Sequence, residues 1–281
     1  MSKQVTTNTL VKGKPFLRWA GGKNWLVKDI HNHLPKEGFK KYVEPFLGGG
    51  SIFFHLSPEE SVLSDLNGEL IQAYTVLKED VNAVINELAR YKNTEEFYYS
   101  LRAKKPRKEV NKAARFIYLN QTSFNGIYRV NLKGEYNVPY GHRKKNFLQP
   151  DNLIQASERL QKTQLKERDF RDSLEDINKG DLVFLDPPYT VSHNNSGFIK
   201  YNKKLFDIDE QRELSRFLDG IHEIGAHYIL TNAAHDVIKE IFHKPGINHV
   251  KNVSRASLVG GLKAKRQQYA EFIITNVETH G

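Results

Sequence analysis

Short apolar runs closed by a turn or an acid recur along the chain, and they set its predicted elements. Lys41-Tyr42-Val43-Glu44 is a brief run entering a glycine turn, and Ser61-Val62-Leu63-Ser64-Asp65 is a second ending in an acid. Asp181-Leu182-Val183-Phe184-Leu185-Asp186 and Ala226-His227-Tyr228-Ile229-Leu230-Thr231 are two more. Runs this short, bounded by turns and acids, read as buried strands. Tyr269 to Asn276 reads as a late strand pairing with Asn248 to Val253 as a hairpin. Helical periodicity fills the gaps. Asp207-Ile208-Asp209-Glu210 is a D-x-x-E capping box that opens a helix to about Ile224. Strands alternating with helices predict an α/β fold with a mostly parallel, doubly wound sheet.

The middle of the chain departs from that alternation. Val76 to about Asn120 is helical by period, with a break near Pro106. Ile127 to Tyr140 reads as a β-hairpin with Lys133-Gly134 at its turn, where glycine supplies a positive φ. The predicted organisation is an α/β domain of residues 1–74 and 166–281, interrupted by a helical, hairpin-bearing insert at 75–165.

Charge sharpens this division. The chain has 281 residues and a formal net charge of +9. Between Arg102 and Lys145 twelve Lys/Arg face only Glu109 and Glu135, a local excess of +10 that accounts for the whole imbalance. A second cluster runs from Lys251 through Arg255, Lys263 and Lys265 to Arg266 without an acid. One charged helix face would be bland. A 44-residue basic block interleaved with Phe116, Tyr118, Phe124, Tyr128, Tyr136 and Tyr140 points to nucleic acid, because clustered cations neutralise phosphates and aromatics stack on bases. With no cysteine, disulfides, thiol nucleophiles and Cys-zinc sites are excluded. No apolar run approaches the roughly 18 residues of a membrane span, and the first residues lack a signal-peptide core, so a soluble, cytoplasmic protein is expected. His31 and His33 point to different helix faces, and the other histidines lack ligand spacing, so no metal is expected.

Two motifs carry chemistry. Glu44-Pro45-Phe46-Leu47-Gly48-Gly49-Gly50-Ser51 joins a predicted strand to a predicted helix, where glycines let the backbone turn and approach a ligand. It is not G-x-G-x-x-G, and Gly22-Lys23 lacks the earlier glycine of a P-loop. Taken alone it could be an ordinary strand–helix turn. Asp65 ends the next strand about 20 residues on, where nucleotide-binding sheets place an acid on ribose hydroxyls. Together they suggest an adenosine-containing cofactor without saying which. The second motif, Asp186-Pro187-Pro188-Tyr189, sits at the carboxyl end of a buried strand, where open α/β sheets bind ligands. Its prolines fix φ and offer no N–H, so carbonyl oxygens nearby stay available as acceptors. A carboxylate, a rigid carbonyl and an aromatic face suit a planar ring bearing an NH2 group.

At these residues the chain resembles the Dam-type (alpha-class) DNA adenine-N6 methyltransferase family. The resemblance covers nearly the whole chain and keeps the family's order. It runs from Phe16-Leu17-Arg18-Trp19-Ala20-Gly21-Gly22-Lys23 through Val43 to Ser51 and Ser64-Asp65-Leu66-Asn67. Phe124-Asn125-Gly126-Ile127-Tyr128-Arg129 and Gly134-Glu135-Tyr136-Asn137-Val138-Pro139 follow, then Asp186 to Tyr189 and Phe198-Ile199-Lys200-Tyr201.

The resemblance implies a Rossmann-like S-adenosylmethionine-dependent sheet with an inserted DNA-recognition domain. It implies that S-adenosylmethionine contacts Trp19, Lys23, Glu44, Phe46, Gly48, Gly50, Asp65 and Asp186, with Asp65 on its ribose. Asp186 and the Pro187 carbonyl would hold the N6 amino group of a flipped adenine stacked on Tyr189, and N6 would attack the sulfonium methyl directly, without a metal. Arg18, Phe124, Asn125, Arg129, His142, Arg143 and Lys144 would contact DNA, with Phe124 as a wedge. The implied substrate is a short site in double-stranded DNA, GATC-like in the family pattern. The chain departs from that pattern at His142-Arg143, where GATC-modifying members often carry Arg-Tyr, and at Arg18, where Lys is frequent. A monomer is expected, with any cognate restriction endonuclease acting separately. Two other readings stay open on the residues alone: a methyltransferase of RNA or a protein amide, and a catalytically silent DNA-binding regulator that kept the fold.

Overall fold

Five parallel strands and an antiparallel pair build one seven-stranded sheet in the order β3-β2-β1-β4-β5-β7-β6. The strands are β1 Tyr42–Glu44, β2 Ser61–Asp65, β3 Thr163–Glu167, β4 Leu182–Leu185, β5 His227–Ala233, β6 His249–Ala256 and β7 Gln268–Thr275. The computed structural model describes residues 14–189, 206–256 and 268–278. Phe198 to Tyr201 and the basic positions Lys263, Lys265 and Arg266 lie outside these residues. β1 pairs in parallel with β2 and β4, and β4 with β5. β7 runs antiparallel to both β5 and β6, so the predicted terminal hairpin forms. The strand order reverses at β1/β4, the point where open α/β sheets bind ligands.

The strands bury because their side chains are apolar on both faces, as a covered parallel sheet requires. Val43, Val62, Val183, Leu185 and Leu230 share one core with Leu214, Phe217, Leu218 and Ile221. Those last four recur at helical spacing on Ile208–Ile224, the helix predicted from its capping box. The Asp207 carboxylate accepts from the N–H groups of Asp209 and Glu210, and Gly225 ends the helix at φ 80°. β3 was not predicted. Its sequence, Thr-Gln-Leu-Lys-Glu, is polar because it lies at the sheet edge, with only Thr163 buried. Thr163 and Ser61 share a hydroxyl hydrogen bond of 2.8 Å.

The described residues divide into two compact units. The sheet unit holds Gly21–Gly48, Pro58–Thr75 and the described residues from Lys162 onward. The other holds residues 14–20, Gly49–Ser57 and Val76–Gln161. It therefore takes in more than the predicted insert: Phe16 packs edge-on against Phe54 at 6.2 Å, and Gln121 Nε2 donates to the Phe16 carbonyl at 2.6 Å. The predicted helical stretch is divided at two places besides Pro106. The helix Val81–Leu88 starts at Asp80, whose carboxylate accepts from Ala83 N–H, and the helix Glu95–Ala103 starts at Thr94, whose hydroxyl accepts from Phe97 N–H. A further helix spans Glu109–Thr122.

The predicted hairpin is irregular. Only single bridges form, Val130 with Tyr136 and Ser123 with Tyr140, and Gly134 takes φ 73° at the turn. The Asn131 side chain substitutes for ladder bonds by accepting from the N–H groups of Lys133 and Glu135, both at 2.9 Å. The interleaved aromatics are a further correction. Phe116, Tyr118, Tyr136 and Tyr140 are buried, so they serve as core rather than as stacking platforms. Their neighbour Tyr98 is fully buried and donates to the Val138 carbonyl at 2.8 Å. Of the six interleaved aromatics, only Phe124 is exposed. Among the described residues no helix is long and apolar enough to cross a membrane.

Candidate active site

β1 delivers the chain into the Glu44–Gly50 turn, and Asp65 holds the turn from the end of β2. Gly48 takes φ 46°, and its N–H donates to Asp65 Oδ2 at 3.0 Å. Asn67 N–H donates to Asp65 Oδ1, also at 3.0 Å, and Tyr74 donates its hydroxyl to the Gly48 carbonyl at 3.2 Å. Burial raises the Asp65 carboxyl above its ordinary range, while the N–H groups of Gly48, Asn67 and Leu66 pull it back. A carboxylate offers about four acceptor positions, so capacity remains for a ligand hydroxyl. Directly after it, Leu66 is 72% exposed, an apolar side chain at the carboxyl end of β2.

The other residues expected around a cofactor have definite places. Glu44 is buried and accepts the Tyr42 hydroxyl at 2.9 Å. Phe46 stacks on Phe170 and meets Phe206 edge-on, at 5.4 and 5.8 Å. In the other unit, Gly50 takes φ 64° at the start of Ser51–Leu56, and Trp19 stacks on Tyr128 at 5.8 Å. A Cβ at Gly49 would lie 2.9 Å from Trp19 Cβ, so only glycine fits there.

The chemistry-bearing cluster forms at the carboxyl ends of β4 and β5, with β7 beside them. Lys23 Nζ lies 2.6 Å from Asp186 Oδ1 and donates to the Gly21 carbonyl at 2.8 Å. Thr231, on β5, donates its hydroxyl to the same Asp186 oxygen at 3.0 Å. Glu271, on β7, is buried; its Oε2 accepts the Tyr189 hydroxyl at 2.7 Å and lies 3.9 Å from Lys23 Nζ. The ammonium also sits over the Tyr189 ring, 5.0 Å from its centre. Burial raises the Asp186 carboxyl above its usual range; Lys23 and the Thr231 hydroxyl oppose that shift, and the Glu271 charge adds to it. Pro187 is buried.

Asp186, Pro187, Tyr189 and Lys23 thus converge. Thr231 and Glu271 complete the cluster and were missed. For Glu271 a signal existed: an acid inside the strand run Tyr269-Ala270-Glu271-Phe272-Ile273-Ile274. Among the described residues no group of three His, Asp or Glu could hold a metal ion.

In the other unit, Phe124 is 52% exposed at the start of a tight turn in which Asn125 and Gly126 take φ 54° and 65°. Arg18 braces that turn from below, donating to the Gln121 and Ser123 carbonyls at 3.3 and 3.2 Å. Burial and the nearby Arg143 guanidinium lower the Arg18 pKa. Arg143 donates to Gln121 Oε1 at 3.3 Å, His142 packs edge-on to Tyr140, and Lys144 is exposed. Arg129 is exposed, its Nε donating to Asn137 Oδ1 at 2.8 Å.

Residues 19–256 match the model of the D12 class N6 adenine-specific DNA methyltransferases. The chain is 37% identical to the type II methyltransferase M.MjaIII of Methanocaldococcus jannaschii over 78% of its length and 84% of that protein. It is 33% identical to the type II methyltransferase M1.LlaDCHI of Lactococcus lactis over 96% and 99% of the two chains. It is 32% identical to the DNA adenine methylase of Escherichia coli K12 over 90% and 93%. An aspartate at the end of β4, a glycine turn clamped by a second aspartate, and relatives aligned along most of their length lead to one conclusion: this chain belongs to the D12 class of N6 adenine-specific DNA methyltransferases.

Proposed function

We propose that the chain methylates N6 of an adenine flipped out of a short duplex site, with Asp186 and the Pro187 carbonyl holding the amino group and Tyr189 stacking on the ring. One observation carries this reading. Asp186 Oδ1 is held by Lys23 and Thr231, whereas Oδ2 takes no hydrogen bond from a described residue and the side chain stays 20% exposed. An anchored carboxylate whose second oxygen keeps its acceptor capacity is preorganised to accept one N6–H. Accepting it favours a more tetrahedral nitrogen and stabilises the positive charge that builds there. Bound S-adenosylmethionine supplies the electrophilic methyl group. Glycine geometry at Gly48 and the remaining acceptor capacity of Asp65 fit its adenosine part, and Glu44, Phe46 and Lys23 are the further contacts assigned to it. Asp65→Ala should weaken S-adenosylmethionine binding by about 1.5–3 kcal/mol, the worth of hydrogen bonds to a charged acceptor. Calorimetric titration checks this, and unchanged affinity would move the ribose partner elsewhere.

Target recognition is assigned to the 75–165 segment. Nine of its twelve Lys/Arg between 102 and 145 are exposed. Lys14, Arg18, Arg143 and Lys145 line a cleft of about 180 Å³ that no acid lines, a setting suited to a backbone phosphate. Affinity should fall steeply with salt, with a slope near −0.9 per phosphate contact. Replacing Lys104, Lys105 and Lys108 should flatten that slope without changing the methylated site. Arg129 acts differently. Asn137 orients its guanidinium while other N–H groups stay available, a geometry for base edges. Arg129→Ala should cost about 1–3 kcal/mol of discrimination at one position of the site. Methylation of the preferred duplex and its single-base variants at two salt concentrations checks this. An equal loss on every duplex would make Arg129 a phosphate contact and shift readout to His142 or Arg143. In this reading the enzyme acts as a monomer, and any cognate endonuclease is a separate protein.

A further inference from the structure

We propose that Glu271 is a positioning residue of methyl transfer: from β7 it anchors the Tyr189 ring through its hydroxyl and shares Lys23 with Asp186. The inference rests on the reading that Asp186 and Tyr189 hold the target adenine.

A carboxylate 1% exposed in a strand paired on both sides is costly unless it is itself paired. Glu271 spends its charge on the active site. Its register partner on β5 is Ala233, so the carboxylate rides on paired backbone rather than on a loop. Pro187 and Pro188 stiffen the chain before Tyr189 but leave the side-chain torsions of the ring free. The 2.7 Å bond from the phenol to Glu271 fixes them. Stacking needs a ring held in one plane, and a tyrosine tied at its far end provides it where phenylalanine would not.

The second effect is electrostatic. One ammonium lies 2.6 Å from Asp186 and 3.9 Å from Glu271, so the three groups carry a formal charge of −1. Positive charge develops on N6 as the N–C bond forms. A site of net negative charge stabilises it more than a neutral ion pair would. Without Glu271, Lys23 belongs wholly to Asp186 and makes it a poorer acceptor.

Glu271→Gln keeps the size and an oxygen acceptor for Tyr189 while removing the charge. Tyr189→Phe keeps the ring and removes the anchor. Each should lower kcat about 10-fold, a typical worth of a hydrogen bond to a charged group, while KM for the duplex stays within about 2-fold. The two losses should be less than multiplicative in the double variant, because they share one bond. The acid limb of the kcat profile should move to lower pH in Glu271→Gln, since Asp186 loses a neighbouring negative charge while Lys23, the Thr231 hydroxyl and the Tyr42 hydroxyl still face it. A purely structural glutamate would not move that limb. Wild-type kcat with an unmoved limb in Glu271→Gln overturns the proposal, as does a loss that only follows a lowered Tm. Should Glu271→Gln fail to fold, wild-type turnover in Tyr189→Phe overturns the anchor. Asp186→Ala, assayed in parallel, separates the two readings: if it too keeps turnover, the assignment of the base site has failed rather than that of Glu271.

Discussion

Asp186→Ala should lose at least ~100-fold in turnover while the chain stays folded and keeps its affinity for DNA and S-adenosylmethionine. The size follows from removing an acceptor whose bond strengthens only as charge develops on N6. The intact fold follows from the charges around it. Without Asp186, the Lys23 ammonium still has Glu271 at 3.9 Å and the Gly21 carbonyl at 2.8 Å. The buried cluster then becomes a neutral pair, so little stability is lost. Single-turnover methylation of a duplex bearing one target adenine, with calorimetry of both ligands, checks both halves. Near-normal single-turnover rates would refute the role given to Asp186.

Lys23→Met should do the opposite to the fold. It strands Asp186 and Glu271 as two adjacent carboxylates, the second of them buried and the first held inside the same cluster. Breaking a buried ion pair by removing one partner costs about 3–5 kcal/mol. The sign of the pH dependence is fixed by the same charges. Burial already raises Asp186, and Lys23 is the largest opposing influence. Without Lys23 the native-state pKa rises further above the unfolded value, so the native state binds more protons than the unfolded chain. The variant should therefore be weakest at neutral pH and regain stability as pH falls through the raised native value toward the unfolded one. Urea unfolding at pH 7 and at pH 5 measures this. A variant as stable as wild type at pH 7 would refute the ion-pairing role given to Lys23.

The family resemblance names Lys23 and Phe46 for the methyl donor, and the tertiary structure adds contacts that local sequence leaves unsaid: the Lys23 ammonium pairs with Asp186, and Phe46 packs against Phe170 and Phe206. The aromatics of the basic block were legible as aromatics but not as core. A tyrosine at helical spacing carries the same one-letter pattern whether its face meets Tyr98 or a base.

What the sequence by itself determined was everything written in contiguous residues. The strand runs, the Asp207 cap, the glycine turn, the rigid Asp-Pro-Pro-Tyr segment and the concentration of charge between Arg102 and Lys145 all follow from backbone restriction, periodicity and composition over a few positions. These sufficed for the fold class and for placing the Asp-Pro-Pro-Tyr segment at the end of β4. The polar edge strand β3 and the irregular hairpin escaped because their stability comes from a neighbouring strand or a single asparagine rather than from a period. Only the tertiary structure decided which charges meet. Lys23, Asp186, Thr231 and Glu271 are far apart in the chain, and they converge because β4 pairs with β5 and β5 with β7. Strand order is set by long-range packing and crossover handedness, and electrostatic energy depends on the distances that order creates, which no local pattern encodes.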